Sequence, residues 1–320
     1  MFSRNALPIL ALAVAMLWVA PAHAAWPDKT IRFIVPYPPG GPSDIVLRTA
    51  MEKMQPVLKQ PMVLENKPGA GGNLGAAEAA RAAPDGTTWF FATDNIVTIN
   101  PHVYARLPFK VDDLVPVSVT SSFSQTLVCH PSLGAKTLAD FVKAAKAQKL
   151  NYASGGAGVP GHLAMELLLA SAGIEMQHIP YKGPAPAAQD VIGGQVPCGF
   201  LAGPTVAPHV KSGRLIALAV SGARRSPILP EVPTVAEAGY PGYDATFLLA
   251  LFAPRGTPAE IVVAMNKALV DALHQPDVVA KLQATDQSVV ANTPAEAAAQ
   301  LNIISRKWGE VAKRIGLSLD

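Results

Sequence analysis

The chain alternates between short apolar runs and stretches with helical spacing. Ile31-Arg-Phe-Ile-Val35 is nearly continuous in apolar character, the signature of a strand buried on both faces. A Pro- and Gly-rich segment, Pro36 to Pro42, follows it. Ser43 or Asp44 can then cap a helix running through Met51 and Met54, which Pro56 should kink or end. Met62-Val-Leu64 reads as a second strand, and the glycine loop Gly69 to Gly75 leads into an alanine-rich helix over Asn73–Ala83. After the turn Pro84-Asp-Gly86, strands are expected over Thr87–Ala92 and Leu114–Val119.

A similar unit then begins again. Thr137-Leu-Ala-Asp140 has the form of a capping box and opens a helix reaching Gln148. Leu150 to Ala153 is a strand, Ser154 to Gly161 a second glycine loop, and His162 to Ala172 has helical spacing through Leu163, Glu166 and Leu167. Strands over Met176–Tyr181, Gln195–Phe200, Leu215–Val220 and Phe247–Phe252 are expected, with a helix over Pro184–Ile192. Beyond Thr257, Ile261, Met265, Leu269 and Leu273 recur every four residues, and a last helix follows Pro294. Alternating strands and helices predict an α/β fold with parallel sheets, and two such runs predict two lobes. The helical C-terminus has no sheet of its own, so it should return to the first lobe. The expected division is 25–123 plus 245–320 for the first lobe and 124–244 for the second. The two crossings form a hinge beside an interlobe cleft.

Composition sharpens this picture. At 320 residues, with 50% apolar and only 15% charged positions, the chain carries enough material for two sizeable cores. Its net charge of +3 is dispersed, and no Lys/Arg run resembles a nucleic-acid stripe, so nucleic acid is not an expected partner. Residues 1–24 stand apart from the fold. Arg4, the apolar run Leu7 to Ala20 and the Ala22-His23-Ala24 cleavage pattern spell a secretory signal peptide, with cleavage expected after Ala24 and a periplasmic mature chain. In that oxidising compartment Cys129 and Cys198 could pair, or could equally be two buried thiols.

Ligands in open α/β sheets bind beyond the carboxyl ends of the strands. Two strand-to-helix loops stand there, Pro36 to Asp44 and Ser154 to His162. Neither contains Lys or Arg, so an anion would be held by main-chain N–H groups, Ser43, Ser154 and bridging water, which suits a carboxylate better than a polyphosphate. Tight turns are the bland alternative. Tyr37 reads as a cleft wall. Asp94 and Asn95 either face the cleft mouth or cap the next turn.

Other chemistry is thin. Gly156-Ala-Gly158-Val-Pro-Gly161 matches a dinucleotide-binding spacing, but the next strand ends in Tyr181-Lys182 where an acid is required, so no nicotinamide cofactor is expected. None of the histidines forms a metal-ligand spacing, and no nucleophile elbow is present. Ser154, His162 and Asp190 can be imagined as a triad, yet their spacing does not support one. His162 reads better as a polar group at a helix start.

The run from Trp26 to Asp44 and the segment Val63-Leu-Glu-Asn-Lys-Pro-Gly-Ala-Gly-Gly-Asn73 resemble a known family. So do Pro84-Asp-Gly86, Asn151-Tyr-Ala-Ser154, His178 to Gly183, Gly193-Gly-Gln195, Pro230 to Gly239 and Phe252 to Pro258. Together they are similar to the Bug family, the extracytoplasmic solute receptors of tripartite tricarboxylate transporters. The resemblance implies a type II periplasmic-binding-protein fold of two Rossmann-like lobes around a cleft, with no catalytic residue, cofactor or metal. It also implies a small carboxylate ligand (a di- or tricarboxylate, acidic amino acid or aromatic acid) and two integral membrane subunits as partners; a monomer is the default expectation for a receptor that must open and close. A sensor-only receptor or an exported hydrolase are the alternatives on this architecture.

Carried over by position, the ligand-binding residues are Tyr37, Pro38, Pro39, Gly40, Gly41, Ser43 and Asp44 from the first loop. From the second they are Ser154, Gly155, Gly156, Gly158 and His162. The chain departs from the family at Pro39, at Pro42, which removes a backbone donor, at Asp94-Asn95 and at Leu201-Ala202. An acid at Asp94 would repel a second carboxylate, and Leu201 would make the pocket more apolar. Both departures point to a monocarboxylate or aromatic acid rather than citrate.

Overall fold

The computed structural model describes residues 26–319. The signal-peptide reading of residues 1–24 therefore lies outside the described residues. Among these, the strands form two sheets. The first comprises β1 (Ile31–Val35), β2 (Met62–Asn66), β3 (Thr88–Thr93), β4 (Leu114–Phe123), β10 (Phe247–Pro254) and the short β11 (Ser288–Val289), in the order β11-β4-β10-β3-β1-β2. The second comprises β5 (Gln125–Cys129), β6 (Leu150–Ser154), β7 (Met176–Pro180), β8 (Cys198–Ala202) and β9 (Ile216–Val220), in the order β7-β6-β8-β5-β9.

Both sheets are mixed, which corrects the expectation of parallel ones. β1 pairs parallel with β2 and β3, and β6 parallel with β7 and β8. The strands that carry the chain between the sheets run the other way. β10 is antiparallel to β3 and β4, and β5 antiparallel to β8 and β9. A strand that arrives directly from the neighbouring sheet enters from the cleft side. It therefore lies opposite in sense to strands whose carboxyl ends reach the cleft. β5, absent from the sequence reading, is one of these; it follows β4 after the single residue Ser124.

Successive residues of the central strands divide between two cores. Phe33, Phe91 and Leu251 pack on one face of the first sheet, Ile34, Phe90 and Phe252 on the other. Period-2 side-chain direction explains why these strands read as unbroken apolar runs: each face has its own helical cover. One cover includes the helices Pro42–Leu58 and Ala259–Leu273, and the other includes Pro294–Ile315, so the C-terminal helices do pack on the first sheet. Leu127, Tyr152 and Phe200 face one side of the second sheet, and Val128, Ala153 and Leu201 the other.

Local signals act as their chemistry dictates. Thr137 Oγ1 accepts from Asp140 N at 3.1 Å while the Asp140 carboxylate accepts from Thr137 N at 3.0 Å, completing the capping box of the helix Leu138–Ala147. Thr293 and Glu296 do the same for the last helix. Pro56 sits in the final turn of Pro42–Leu58, which ends at the left-handed Lys59. Gly86 takes φ +80°, and a Cβ there would lie 2.4 Å from Trp26 Nε1. Only glycine lets the two indoles, Trp26 and Trp89, donate to its carbonyl at 3.0 and 2.8 Å.

Cys129 and Cys198 stand directly opposite each other on β5 and β8, fully buried and as free thiols. Cys198 Sγ donates to the Asn151 carbonyl at 3.6 Å, and burial pushes the Cys129 thiol well up.

β10 is the spine of the first sheet, with all eight residues buried. Leu251, opposite Phe91 on β3, packs with no solvent contact. Leu251→Ala should therefore cost roughly 3 kcal/mol of unfolding free energy by urea titration, the range for a core leucine that leaves a cavity.

Candidate ligand-binding cleft

The first loop leaves β1 at Val35 and reaches the helix Pro42–Leu58 through Gly41, whose extended backbone forms the N-cap. This corrects the expectation that Ser43 or Asp44 caps it. Proline at the first helical position starts the turn earlier and needs no N–H there. Tyr37 is anchored at both ends. Asn66 Nδ2 donates to its carbonyl at 2.8 Å, and its hydroxyl donates to Asn95 Oδ1 at 3.0 Å and contacts Thr93 Oγ1. Burial pushes its phenol up. Pro39 and Gly40 form the exposed tip of the loop.

Asp94 and Asn95 separate in role. Asp94 is fully buried and turned into the fold. It accepts from Leu248 N at 2.8 Å and from Thr98 Oγ1 at 3.1 Å, and burial pushes its carboxyl up to about 6. It ties β10 to the turn after β3 and does not line the cleft, so the repulsion argued for it does not operate there. Asn95 reaches across instead: its Nδ2 donates to the Gly158 carbonyl of the second loop at 3.0 Å.

The second loop is braced from beneath. Ser154 Oγ pairs with His178 Nε2 at 2.7 Å, donates to the Gly156 carbonyl at 2.8 Å and accepts from Gly156 N at 3.2 Å. His162 Nδ1 accepts from Gly158 N at 3.0 Å. The rings of His162 and His178 stack at 3.9 Å, and the Tyr152 ring lies 4.9 Å from His178 and 6.3 Å from His162. The imagined triad is not assembled. Ser154 meets His178 rather than His162, and Asp190 accepts from Tyr181 Oη at 2.5 Å.

Between the loops lies a cavity of about 80 Å³. Of the residues anticipated from sequence, Tyr37, Pro38, Gly41, Ser43, Asp44, Gly155 and Leu201 line it. Asn95, Ser154, Gly158 and His162 hold the lining loops in place, and Gly156 lines an adjoining recess of about 740 Å³ that shares Tyr37, Pro38 and Gly183. Sequence reasoning missed Thr93, Phe123, Gln125, Val159, Pro160, Gly161, Gly183, Pro184, Phe200 and Ala202. Gly183-Pro184 repeats the grammar of Gly41-Pro42, a glycine before a helix that begins with proline, and could have been found by it. Phe123 and Gln125 flank the crossing into the second sheet, a position set by topology alone.

Three helices open on this cavity: Pro42–Leu58 after Gly41, Pro160–Ala172 after Val159, and Pro184–Ile192 after Gly183. Each begins with proline and none has a side-chain cap bond. Their first-turn N–H groups and positive helix ends therefore face a shared space. Gly161 allows one of them close: a Cβ there would lie 2.3 Å from the Phe200 carbonyl oxygen. Among the described residues lining the cavity there is no Lys, Arg or His. Of the remaining walls, Thr93 and Gln125 are polar, and Phe123, Val159, Phe200 and Leu201 are apolar. The site can therefore hold an anionic group through backbone dipoles and enclose an apolar body. Among the described residues no cluster of three or more His, Cys, Asp or Glu could hold a metal ion.

Two facing lobes with helix starts on a shared cleft have the form of a solute-binding receptor. Residues 46–317 match the model of the tripartite tricarboxylate transporter family receptor, and the chain belongs to that family. It is 34% identical over 319 residues to the protein BugT of Bordetella pertussis, covering 96% of this chain and 98% of that one. Among solved structures, R. palustris Rpa4515 with adipate matches with TM-score 0.87 and 31% identity, over 92% of this chain and 99% of that one. MatC of Rhodopseudomonas palustris with bound malate matches with TM-score 0.84 and 30% identity, over 89% and 99%. The two-lobed periplasmic-binding fold expected from sequence is thus the fold of this chain.

The histidine stack predicts a pH dependence. Burial, and for His162 also the neighbouring His178, lowers these imidazoles from 6.5 to about 3 and about 4. The unfolded chain takes up these protons first. Their contribution to stability is therefore complete above 6.5 and is lost as pH falls toward 4. Asp94, raised by burial, works in the opposite sense, so the comparison must be with a variant. Urea unfolding between pH 7 and 4.5 should show a shallower loss of stability for His178→Gln than for the unchanged chain.

Proposed function

We propose that this protein is a periplasmic receptor that binds a small carboxylate between its lobes and presents it to the integral membrane subunits of a tripartite tricarboxylate-type transporter. The observation that carries this reading is the convergence of three helix starts, one from the first lobe and two from the second, on a cavity with no basic side chain. Such an arrangement favours a compact anion without fixing a salt bridge. Relatives solved with adipate and malate support a carboxylate as the ligand class. In this reading residues 1–24 are removed after Ala24, and the lobes divide as 25–123 with 245–320 and 124–244. The receptor works as a monomer, and closure is a shift of population toward the state in which both lobes contact the ligand.

Calorimetric titration of the mature protein, unfolded and refolded to strip carried-over solute, tests it. The panel is adipate, malate, citrate, glutamate and benzoate. Saturable binding of at least one acid, recovered chemically unchanged, is the expected result. Absence of binding across the panel, or conversion of the acid, would overturn it.

A further inference from the structure

We propose that Asp44 selects ligands that carry an N–H or O–H donor beside their carboxylate. This rests on the carboxylate reading above and narrows it. Asp44 lines the cavity and is 7% exposed. Its two oxygens are unequally engaged. Oδ2 accepts from the backbone N–H of Gly40 at 3.3 Å and from Arg48 Nε at 3.0 Å. Oδ1 is buried and has no hydrogen-bond partner within the protein.

Helix architecture accounts for Oδ2 but not for Oδ1. An acid in the first turn of Pro42–Leu58 suits the helix dipole, and the reach back to Gly40 steadies the loop. Neither role gives the second oxygen a partner. A buried carboxylate oxygen left unpaired is costly, and a donor brought by the ligand would offset that cost. Among the described residues, buried side-chain oxygens without partners occur at Asp44, Thr126 and Asp286, and of these only Asp44 lines the cavity.

The surroundings restrict what can fill the role. Arg48 on Oδ2 offsets part of the Asp44 charge, but no Lys, Arg or His lines the cavity itself, so a second carboxylate at Oδ1 would meet like charge there. An ammonium, hydroxyl or amide N–H meets an acceptor. The acid group then lies toward the helix starts at Gly41, Gly161 and Gly183, and the apolar body toward Phe123, Phe200 and Leu201. The ligand class is a small amino- or hydroxy-monocarboxylate with an apolar side chain. The charge that guides the choice is Asp44, within the cavity wall, and not Asp94, which is spent on Leu248 and Thr98.

Matched acids separate this from the broader reading. Butanoate and 4-methylpentanoate would each be titrated beside their 2-hydroxy and 2-amino counterparts, with adipate as a donor-free control. Donor-bearing members are expected to bind at least about tenfold tighter than their parents, as a hydrogen bond to a buried charge implies. In Asp44→Asn that preference should shrink, while circular dichroism confirms the fold. The comparison among ligands on the unchanged protein needs no variant. Equal or tighter binding of the parent acids, or binding of adipate with neither series, would overturn the role of Asp44 and leave the carboxylate receptor standing. Failure of every acid to bind would overturn both.

Discussion

The cleft depends on one constraint: strand ends in two separate sheets must face each other so that helix starts from both lobes meet. β1 delivers the helix Pro42–Leu58, β6 the helix Pro160–Ala172 and β7 the helix Pro184–Ile192, each across a short loop. Backbone N–H groups at a helix start are donors whose direction is set by the helix itself. Their aim is therefore no better than the relative placement of the two sheets. Asn95 bears on that placement directly, since it is held by Tyr37 in the first lobe and bonds the Gly158 carbonyl in the second. β4 and β5, joined through Ser124, and β10, returning beside β4, supply the mechanical connection.

The residues around the lining show how the loops are kept open to a ligand. Polar side chains near the cleft mostly bond the protein itself. Tyr37, Asn95, Ser154 and His162 stabilise glycine-rich backbone that would otherwise be free to rearrange. The neutral, stacked His162 and His178 fit this role. A charged imidazole at Nδ1 of His162 could not accept from Gly158 N, so burial that keeps the ring neutral also keeps the loop in shape.

Much of this was legible from residues alone, for local reasons. β1 and the helix Pro184–Ile192 match their predicted bounds, because an apolar run ended by Pro-Gly and a helix opened by Gly-Pro are decided within a few positions. The first loop, the second loop and the cleft between them followed from the same punctuation. What escaped was set at long range. The antiparallel crossing of β5 and β10 depends on how the lobes connect, and Asp94 turns inward because Leu248, far along the chain, offers it an N–H. Ser154 pairs with His178 and not His162 for a similar reason: β6 and β7 lie side by side, with Tyr152 opposite His178. No spacing within one segment encodes such meetings.

A receptor that hands over its cargo has reason to hold an anion with backbone rather than with lysine or arginine. A basic side chain would carry its charge into the open state and retain the anion on one lobe. In the proposed mechanism, helix starts contributed by two lobes form a complete cradle only while the lobes are together, so opening would disperse the donors and weaken the site in the same motion. The differential affinity between closed and open states, which is what drives closure, is then large without very tight overall binding. The apolar walls act in the same sense. Phe123 stands at the end of the crossing strand β4, and Phe200 and Leu201 belong to the second sheet, so the enclosure of an apolar body is also a property of the closed form. Removing basic side chains from the cleft thus converts anion affinity into sensitivity to lobe position.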